Sequence, residues 1–269
     1  MMAAARMAGQ RLMQHFRQRD RLVVNLKGPA DFVTTADLDS QTVLLAALGQ
    51  AFPDHGFLAE EDAGEARSTS RSRFVIDPLD GTSNFLHGIP HFAIAIALER
   101  AGRVVAGLVF DPPKDEMFVA ELGRGAWCGG ARLRVSSDGD LSTALVGTGI
   151  PHANAKHRHA AYLPTLASVM REAAGVRRMA AAALDLAYVA AGRVAAFYEY
   201  GLSRWDVAAG GLLVLEAGGR VSKPDGGEGY LESGDVLATN GRLHERMLRL
   251  VAAPRSASAP RLGRRPRRR

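Results

Sequence analysis

The run F-V-I-D-P-L-D-G-T-S-N-F, residues 74–85, sets two aspartates where metal or phosphate chemistry can be done. An apolar strand delivers Asp77 at its end, Pro78 interrupts ladder pairing, and D-G-T-S-N is composed to turn the chain into a helix start. Asp77 and Asp80 on such a corner can converge on a hard cation. The backbone N–H groups of Gly81, Thr82 and Ser83 can then face outward as an anion cradle. A metal site beside a phosphate site is what hydrolysis of a phosphate ester requires. A D-G pair is also an ordinary turn signal, so the other acids must decide. A-D-F-V-T-T-A-D supplies Asp31 and Asp37 before a helix, F-L-A-E-E-D supplies Glu60 and Glu61, and W-D-V-A-A-G puts Asp206 in the first turn of an apolar helix. An acid in a first turn also complements the helix dipole. Several acids flanked by apolar residues ask for more, because a buried carboxylate is costly without a cation or hydrogen bonds.

The elements that must position these acids are legible as period and punctuation. Residues 1–19 and 36–51 read as helices, the second with Thr34 or Thr35 as candidate N-cap. Strand-like runs follow at Phe74–Asp77, Phe92–Glu99, Val104–Phe110 and Met117–Glu121, joined by A-G-R and D-P-P-K-D turns. This predicts helices covering a largely antiparallel sheet. Beyond residue 140 strands and helices alternate, with helices at His157–Ala174, Ala182–Ala191, Trp205–Ala217 and Arg242–Val251. The class is α/β, in an α+β layered arrangement. Three segments are expected: 1–140, an α+β half carrying most of the acids; 141–252, an α/β half carrying Asp206; and 253–269, an Arg-rich tail expected to be disordered.

Composition excludes several classes. At 269 residues, 47% hydrophobic and 23% charged, the chain has the profile of a soluble globular protein, and its longest apolar stretches are too short to span a bilayer. Cys128 is the only cysteine, so no intramolecular disulfide forms. The N-terminus lacks an apolar signal core; Met7, Leu12, Met13 and Phe16 recur at helical spacing, and a cytoplasmic location is expected. The net charge of +6 belongs to the tail: subtracting the seven arginines after Ala253 leaves −1. The basic balance therefore describes an appendage that could touch RNA, a membrane or an acidic partner, and not a nucleic-acid-binding face.

D-P-L-D-G-T followed over a hundred residues later by W-D-V-A-A-G is a specific combination. With K-G-P-A-D-F-V-T-T-A-D, Glu60-Glu61, and E-A-G-G before L-A-T-N, it makes residues 5–252 resemble the inositol monophosphatase family, the bacterial inositol-1-phosphatase group above all. The resemblance implies a sugar-phosphatase fold of alternating helix layers and two β-sheets. It implies two or three Mg²⁺ ions. Glu60, Asp77 and the Leu79 carbonyl would hold one that activates the attacking water; Asp77, Asp80 and Asp206 would hold a second beside the leaving oxygen; Glu60 would also serve a weaker third. Thr82, paired with Asp37, would position and help deprotonate the water. The amides of Gly81 and Thr82, with Ser83 beside them, would bind phosphate. Glu199 would contact polyol hydroxyls, and Asp80, Ala182 and Asp206 would lie at substrate contacts. A homodimer and lithium sensitivity are implied as well.

The chain departs from the family pattern at four places. Ala59 and Asp62 flank the acidic pair where Gly and Ser are usual; Ala180-Ala181 stands for Gly-Ser or Gly-Thr; Gly129 replaces an Asn; the first helix is short. No expected metal ligand is lost, so the departures bear on substrate and not on the reaction. Within the family, fructose-1,6-bisphosphate, histidinol phosphate and NADP remain alternative substrates, and a regulatory or RNA-associated role on the same scaffold is a different class of reading. A haloacid-dehalogenase-type aspartyl nucleophile is disfavoured, because Pro78 stands two residues before Asp80 where that chemistry needs an Asp.

Other groups attract ordinary readings. His152, His157 and His159 are interrupted by Lys156 and Arg158 and lack a nearby acid. His87 and His91 read as pocket-lining or structural. G-R-G-A-W-C-G at 123–129 reads as turns between strands, and Arg204 as either a substrate-mouth residue or a solvated one.

Overall fold

The computed structural model describes residues 1–28, 31–61, 70–151 and 156–252. Its helices are α1 (Met2–Arg17), α2 (Thr35–Ala51), α3 (Thr82–Leu86), α4 (Lys156–Glu172), α5 (Ala182–Ala190), α6 (Arg204–Glu216), α7 (Tyr230–Ser233) and α8 (His244–Val251). A hairpin of β1 (Val24–Gly28) and β2 (Asp31–Thr34) leads into α2.

A seven-stranded sheet runs β3 (Gly56–Ala59), β4 (Ser72–Asp80), β5 (Ala93–Arg100), β6 (Arg103–Asp111), β7 (Glu116–Glu121), β8 (Gly125–Cys128), β9 (Ala131–Arg132) in chain order. It is antiparallel throughout except for the β3–β4 pair, which is parallel. The second sheet has five strands, in the order β11 (Gly175–Arg177), β10 (Leu145–Thr148), β12 (Ala196–Glu199), β14 (Val236–Thr239), β13 (Arg220–Ser222).

Side-chain alternation decides how these pieces stack. On β4 and β5, Phe74, Ile76, Ile94 and Ile96 turn to one face and pack with Leu12, Leu44 and Leu48 of α1 and α2. Val75, Ala93, Ala95 and Ala97 turn to the other and pack with α5 and α6, whose far side meets Phe197 and Val236 of the second sheet. The outer face of that sheet carries Val146, Tyr198 and Leu237 against Tyr162, Val169 and Met247 of α4 and α8. The result is five layers, α-β-α-β-α, as the alternating-layer expectation requires. Small residues let the middle layers approach closely: a Cβ on Gly107 of β6 would lie 2.8 Å from the Ala209 carbonyl oxygen of α6. The middle core is shared by both halves of the chain, so the 1–140 and 141–252 segments meet face to face through α5 and α6.

The sequence reading omits the β1–β2 hairpin, β3 and the short α7, and it ends the strand at Asp77. In the structure β4 continues to Asp80, with an irregularity between the Asp77–Ala95 and Asp80–Ala93 pairs. Pro78 removes one donor, and the bulge absorbs the loss so that the ladder resumes. Residues 125–128, read as part of a turn, are a strand. The histidine tract at 152–159 and the Arg-rich tail fall on residues whose placement or side chains lie outside the described set.

Candidate active site

Four helix starts aim at one spot beside the end of β4. Val75 and Asp77 share a strand face, so the side that buries Val75 against the middle helices also turns the Asp77 carboxylate toward α6. Parallel pairing of Ala59 with Ile76 brings the next residues, Glu60 and Asp77, side by side, and the Glu60 N–H donates to the Ile76 carbonyl at 3.2 Å. The corner then closes through Gly81, whose φ of 89° is left-handed. A Cβ there would stand 3.1 Å from the His91 carbonyl oxygen and 3.3 Å from that of Ala180, so glycine is required on both conformational and steric grounds.

Asp37, Asp206 and Asp80 are each held at a helix N-terminus. Asp37 sits three residues into α2 and accepts the Thr34 N–H at 2.8 Å and the Thr34 hydroxyl at 2.6 Å on Oδ2. Asp206 does the same at α6, accepting the Ser203 N–H at 2.6 Å. Both are capping boxes, T-x-x-D and S-x-x-D, a signal present in the sequence that assigns these acids a structural duty as well. Asp80 caps α5 from across the chain: its two oxygens accept the N–H groups of Ala182 at 3.2 Å and Ala183 at 2.8 Å, and α5 has no side-chain cap of its own. Asp77 Oδ1 accepts the Leu79 N–H at 3.0 Å.

Other contacts lock the corner and were not anticipated from sequence. Ser40 of α2 donates to the Pro78 carbonyl at 2.7 Å, and Gln41 accepts the Glu61 N–H at 3.1 Å. Asn84 donates to the carbonyl of His91 nearby and to that of the distant Met179. Their signal is weak, since a buried polar residue one turn into a helix has no distinctive period.

The electrostatics are those of a site short of positive charge. Burial, then repulsion from Glu60, Asp80 and Asp206, pushes the Asp77 carboxyl well above the usual range. Asp206 is raised likewise by burial and by Asp80, with Glu60 and Glu199 adding to it. Burial lifts Asp80 to about 6 despite the α5 amides. Asp37 rises to about 6, again chiefly by burial. Glu199, at the end of β12, is pushed to about 8 by burial and Asp80, with Arg178 opposing. Acids this close cannot all ionise unless something cationic joins them. Among the described residues no three acids, histidines or cysteines are grouped so that, as they stand, they could hold a metal ion. The donor set nonetheless fits a hard divalent ion: oxygen donors only, buried, mutually repelling and pre-oriented by backbone N–H groups.

Thr82, first residue of α3, places its hydroxyl 3.1 Å from Asp37 Oδ1 and 3.1 Å from the Leu79 carbonyl oxygen. One hydroxyl proton serves one acceptor at a time. Engagement of the Leu79 carbonyl elsewhere therefore commits that proton to Asp37. Ser83 lies beside Thr82 on α3, while the Ala182 N–H is taken by Asp80. Glu199 lies flat over Gly149, the residue after β10; a Cβ on Gly149 would fall 1.8 Å from its carboxylate. Asp31 is on β2, before this corner. His91 is kept neutral, lowered to about 4 by burial, with its ring edge-on to Tyr188. Arg204 is held in ion pairs: its Nε donates to the buried Glu99 at 2.6 Å and its Nη1 to Glu232 at 3.2 Å.

Five alternating layers, with carboxylates gathered at helix N-termini on one side of the middle layer, define a layered α/β protein. The chain belongs to the inositol monophosphatase family, whose model of that description matches residues 1–255. It is 48% identical over 257 residues to the inositol-1-monophosphatase of Mesorhizobium japonicum, covering 96% of each chain. It is 45% identical over 251 residues to the Nus factor SuhB of Pseudomonas aeruginosa, covering 92% of this chain and 93% of the relative. The crystal structure of the extragenic suppressor protein suhB from Bartonella henselae superposes with a TM-score of 0.90 at 44% identity, covering 93% of this chain and 96% of that one.

Proposed function

We propose that this protein is a Mg²⁺-dependent phosphomonoesterase that hydrolyses inositol 1-phosphate to inositol and phosphate by direct attack of water. The observation that carries the reading is the mutual repulsion of Asp77, Asp80, Asp206 and Glu60 at the meeting point of helix N-termini. Glu60, Asp77, the Leu79 carbonyl, Asp80 and Asp206 would hold two or three Mg²⁺ ions, which when bound supply Lewis-acid stabilisation of the phosphate and a lowered water pKa. Asp37 and Thr82 act as a proton-accepting pair: the Thr82 hydroxyl orients the water while Asp37 fixes that hydroxyl. The Gly81 and Thr82 amides, with Ser83, receive the phosphate oxygens. Glu199 and Asp80 face the polyol hydroxyls, and Ala182 lines the same wall. No covalent aspartyl intermediate is needed. In this reading the protein works in the cytoplasm; the family resemblance further supports a homodimer inhibited by lithium. Among the described residues, no helix is long and apolar enough to cross a membrane.

A substrate panel tests this directly: phosphate release from inositol 1-phosphate, fructose 1,6-bisphosphate, histidinol phosphate and NADP, each with Mg²⁺ and with chelator. Inositol 1-phosphate is expected to be the best substrate, and only with Mg²⁺. Turnover that survives thorough chelation contradicts the reading; preference for another ester moves the substrate within the family. A second reading is favoured by the relatives named Nus factor SuhB: this scaffold can carry a regulatory role, and the arginine tail gives it an electrostatic handle for RNA.

A further inference from the structure

Ala180 adopts φ 64°, a left-handed conformation that is strained for an L-residue with a Cβ. It stands in the segment that leads into α5, where glycine would carry no such strain. Something must hold it there. Asn84, 7% exposed and on α3, reaches across the fold to this segment. Its Nδ2 donates to the Met179 carbonyl at 2.8 Å and to the His91 carbonyl at 2.8 Å, with the Ala180 carbonyl at 3.4 Å. Three carbonyl oxygens around one amide leave no doubt about which end is nitrogen, because the flipped amide would set oxygen against oxygen. Immediately after Ala180 come Ala181 and the first turn of α5, whose Ala182 and Ala183 amides grip the two oxygens of Asp80. Because α5 lacks a side chain to cap its own start, the position of those amides depends on how the preceding residues are held.

We infer that Asn84 is a positioning residue for the Asp80 carboxylate: by clamping Met179 and Ala180 it offsets the strain at Ala180 and sets the α5 amides onto Asp80. The inference rests on the proposed role of Asp80 as a metal ligand, and it adds a residue that touches neither metal nor substrate. It also explains how the chain accommodates alanine at position 180. The clamp and the strain are coupled, so relieving one lessens the need for the other.

Asn84→Ala, Ala180→Gly and the double variant, made in the full chain, test this. In chelator, Asn84→Ala is expected to lower the thermal midpoint by about 5 °C or more, and by less than half as much when Ala180→Gly is already present. Titrating Mg²⁺ and reading the rise in midpoint gives a binding measurement independent of turnover. Its half-saturating concentration is expected to increase about 10-fold in Asn84→Ala, as for loss of an outer residue that orients a ligand, and to recover in part in the double variant. Should Asn84→Ala not fold, Asn84→Ser, which retains one donor, is read on the same two scales. Additive penalties in chelator, or an unchanged Mg²⁺ half-saturation despite lost stability, overturn the inference. A parent protein whose midpoint ignores Mg²⁺ would defeat the metal-ligand reading of Asp80, and the coupling measured in chelator would still decide whether Asn84 offsets the strain at Ala180.

Discussion

Asp206 carries two duties that pull in opposite directions. Its carboxylate caps α6 through the Ser203 N–H, and it sits in the field of Asp80, Glu60 and Glu199. An asparagine keeps an oxygen for the cap and removes the repulsion. Asp206→Asn is therefore expected to raise the thermal midpoint of the metal-free protein, to abolish the further rise on adding Mg²⁺, and to lower phosphate release roughly 100-fold or more. Asp80→Asn should lose activity to a similar extent while the far-ultraviolet circular dichroism of both variants stays that of the parent. Near-normal turnover by either purified variant would remove these carboxylates from the reaction. Asp37 differs, since its oxygens are engaged by Thr34 and Thr82 alone in the contacts described, which suits a proton acceptor better than a metal ligand.

At the scale of elements, the site is where α2, α3, α5 and α6 begin. Their N-terminal N–H groups supply partial positive charge to a region crowded with carboxylates and, in the proposed reaction, with phosphate. The start of α6 is pinned from the side by Arg204, which bonds Glu99 of β5; Glu99 is 2% exposed and also receives Arg73 Nε at 2.8 Å. Neutralising this acid leaves two guanidinium groups facing a neutral amide. Glu99→Gln should cost about 3 kcal/mol in urea unfolding, whereas a change below about 1 kcal/mol would show the pair to be as weak as a surface one. The second sheet has its own pH-sensitive joint. His244 of α8 bridges Ser222 of β13 and Thr239 of β14 at 3.0 Å each, and burial lowers it to about 4. Its folded pKa thus lies below its unfolded one, near 6.5. The unfolded chain binds the extra proton between those values, so this joint contributes full stability above about pH 6.5 and loses it as pH falls toward 4. Between pH 7 and 4 the parent should lose on the order of 3 kcal/mol more than His244→Gln, measured by denaturant unfolding across that range.

The whole molecule is organised by its middle layer. Helices α5 and α6 bury residues against both sheets, so neither half of the chain closes its core without the other. The net charge of the molecule is, by contrast, set by its last residues, since the arginines after Ala253 account for the entire excess. Deleting residues after Ala253 should leave Mg²⁺-dependent phosphate release and the thermal midpoint unchanged within about 1 °C. It should abolish any RNA binding that weakens steeply with salt. RNA binding that survives the deletion would place that activity on the body.

The carboxylates that the structure gathers were visible without coordinates, because Asp77, Asp80 and Asp206 stand in short motifs whose neighbours dictate a corner or a helix start. The alternating layers were visible too, since strand and helix periods depend on nearby residues. Less was visible of what holds the acids in place. The hairpin ahead of α2 and the short strand β3 carry too few residues for a period, and β3 matters only through its parallel register with β4. The partners that orient the acids (Ser40, Asn84, Glu99 and the α5 amides) act across 38 to 105 residues of chain, a separation no local pattern encodes. By itself, then, the sequence determined which carboxylates this protein has and the element on which each one rides. Only the tertiary structure decided that they face one another at the starts of four helices. Convergence is a property of layer packing, in which small residues on β5 and β6 let α5 and α6 descend onto the sheet and carry Asp206 and the Asp80-binding amides with them.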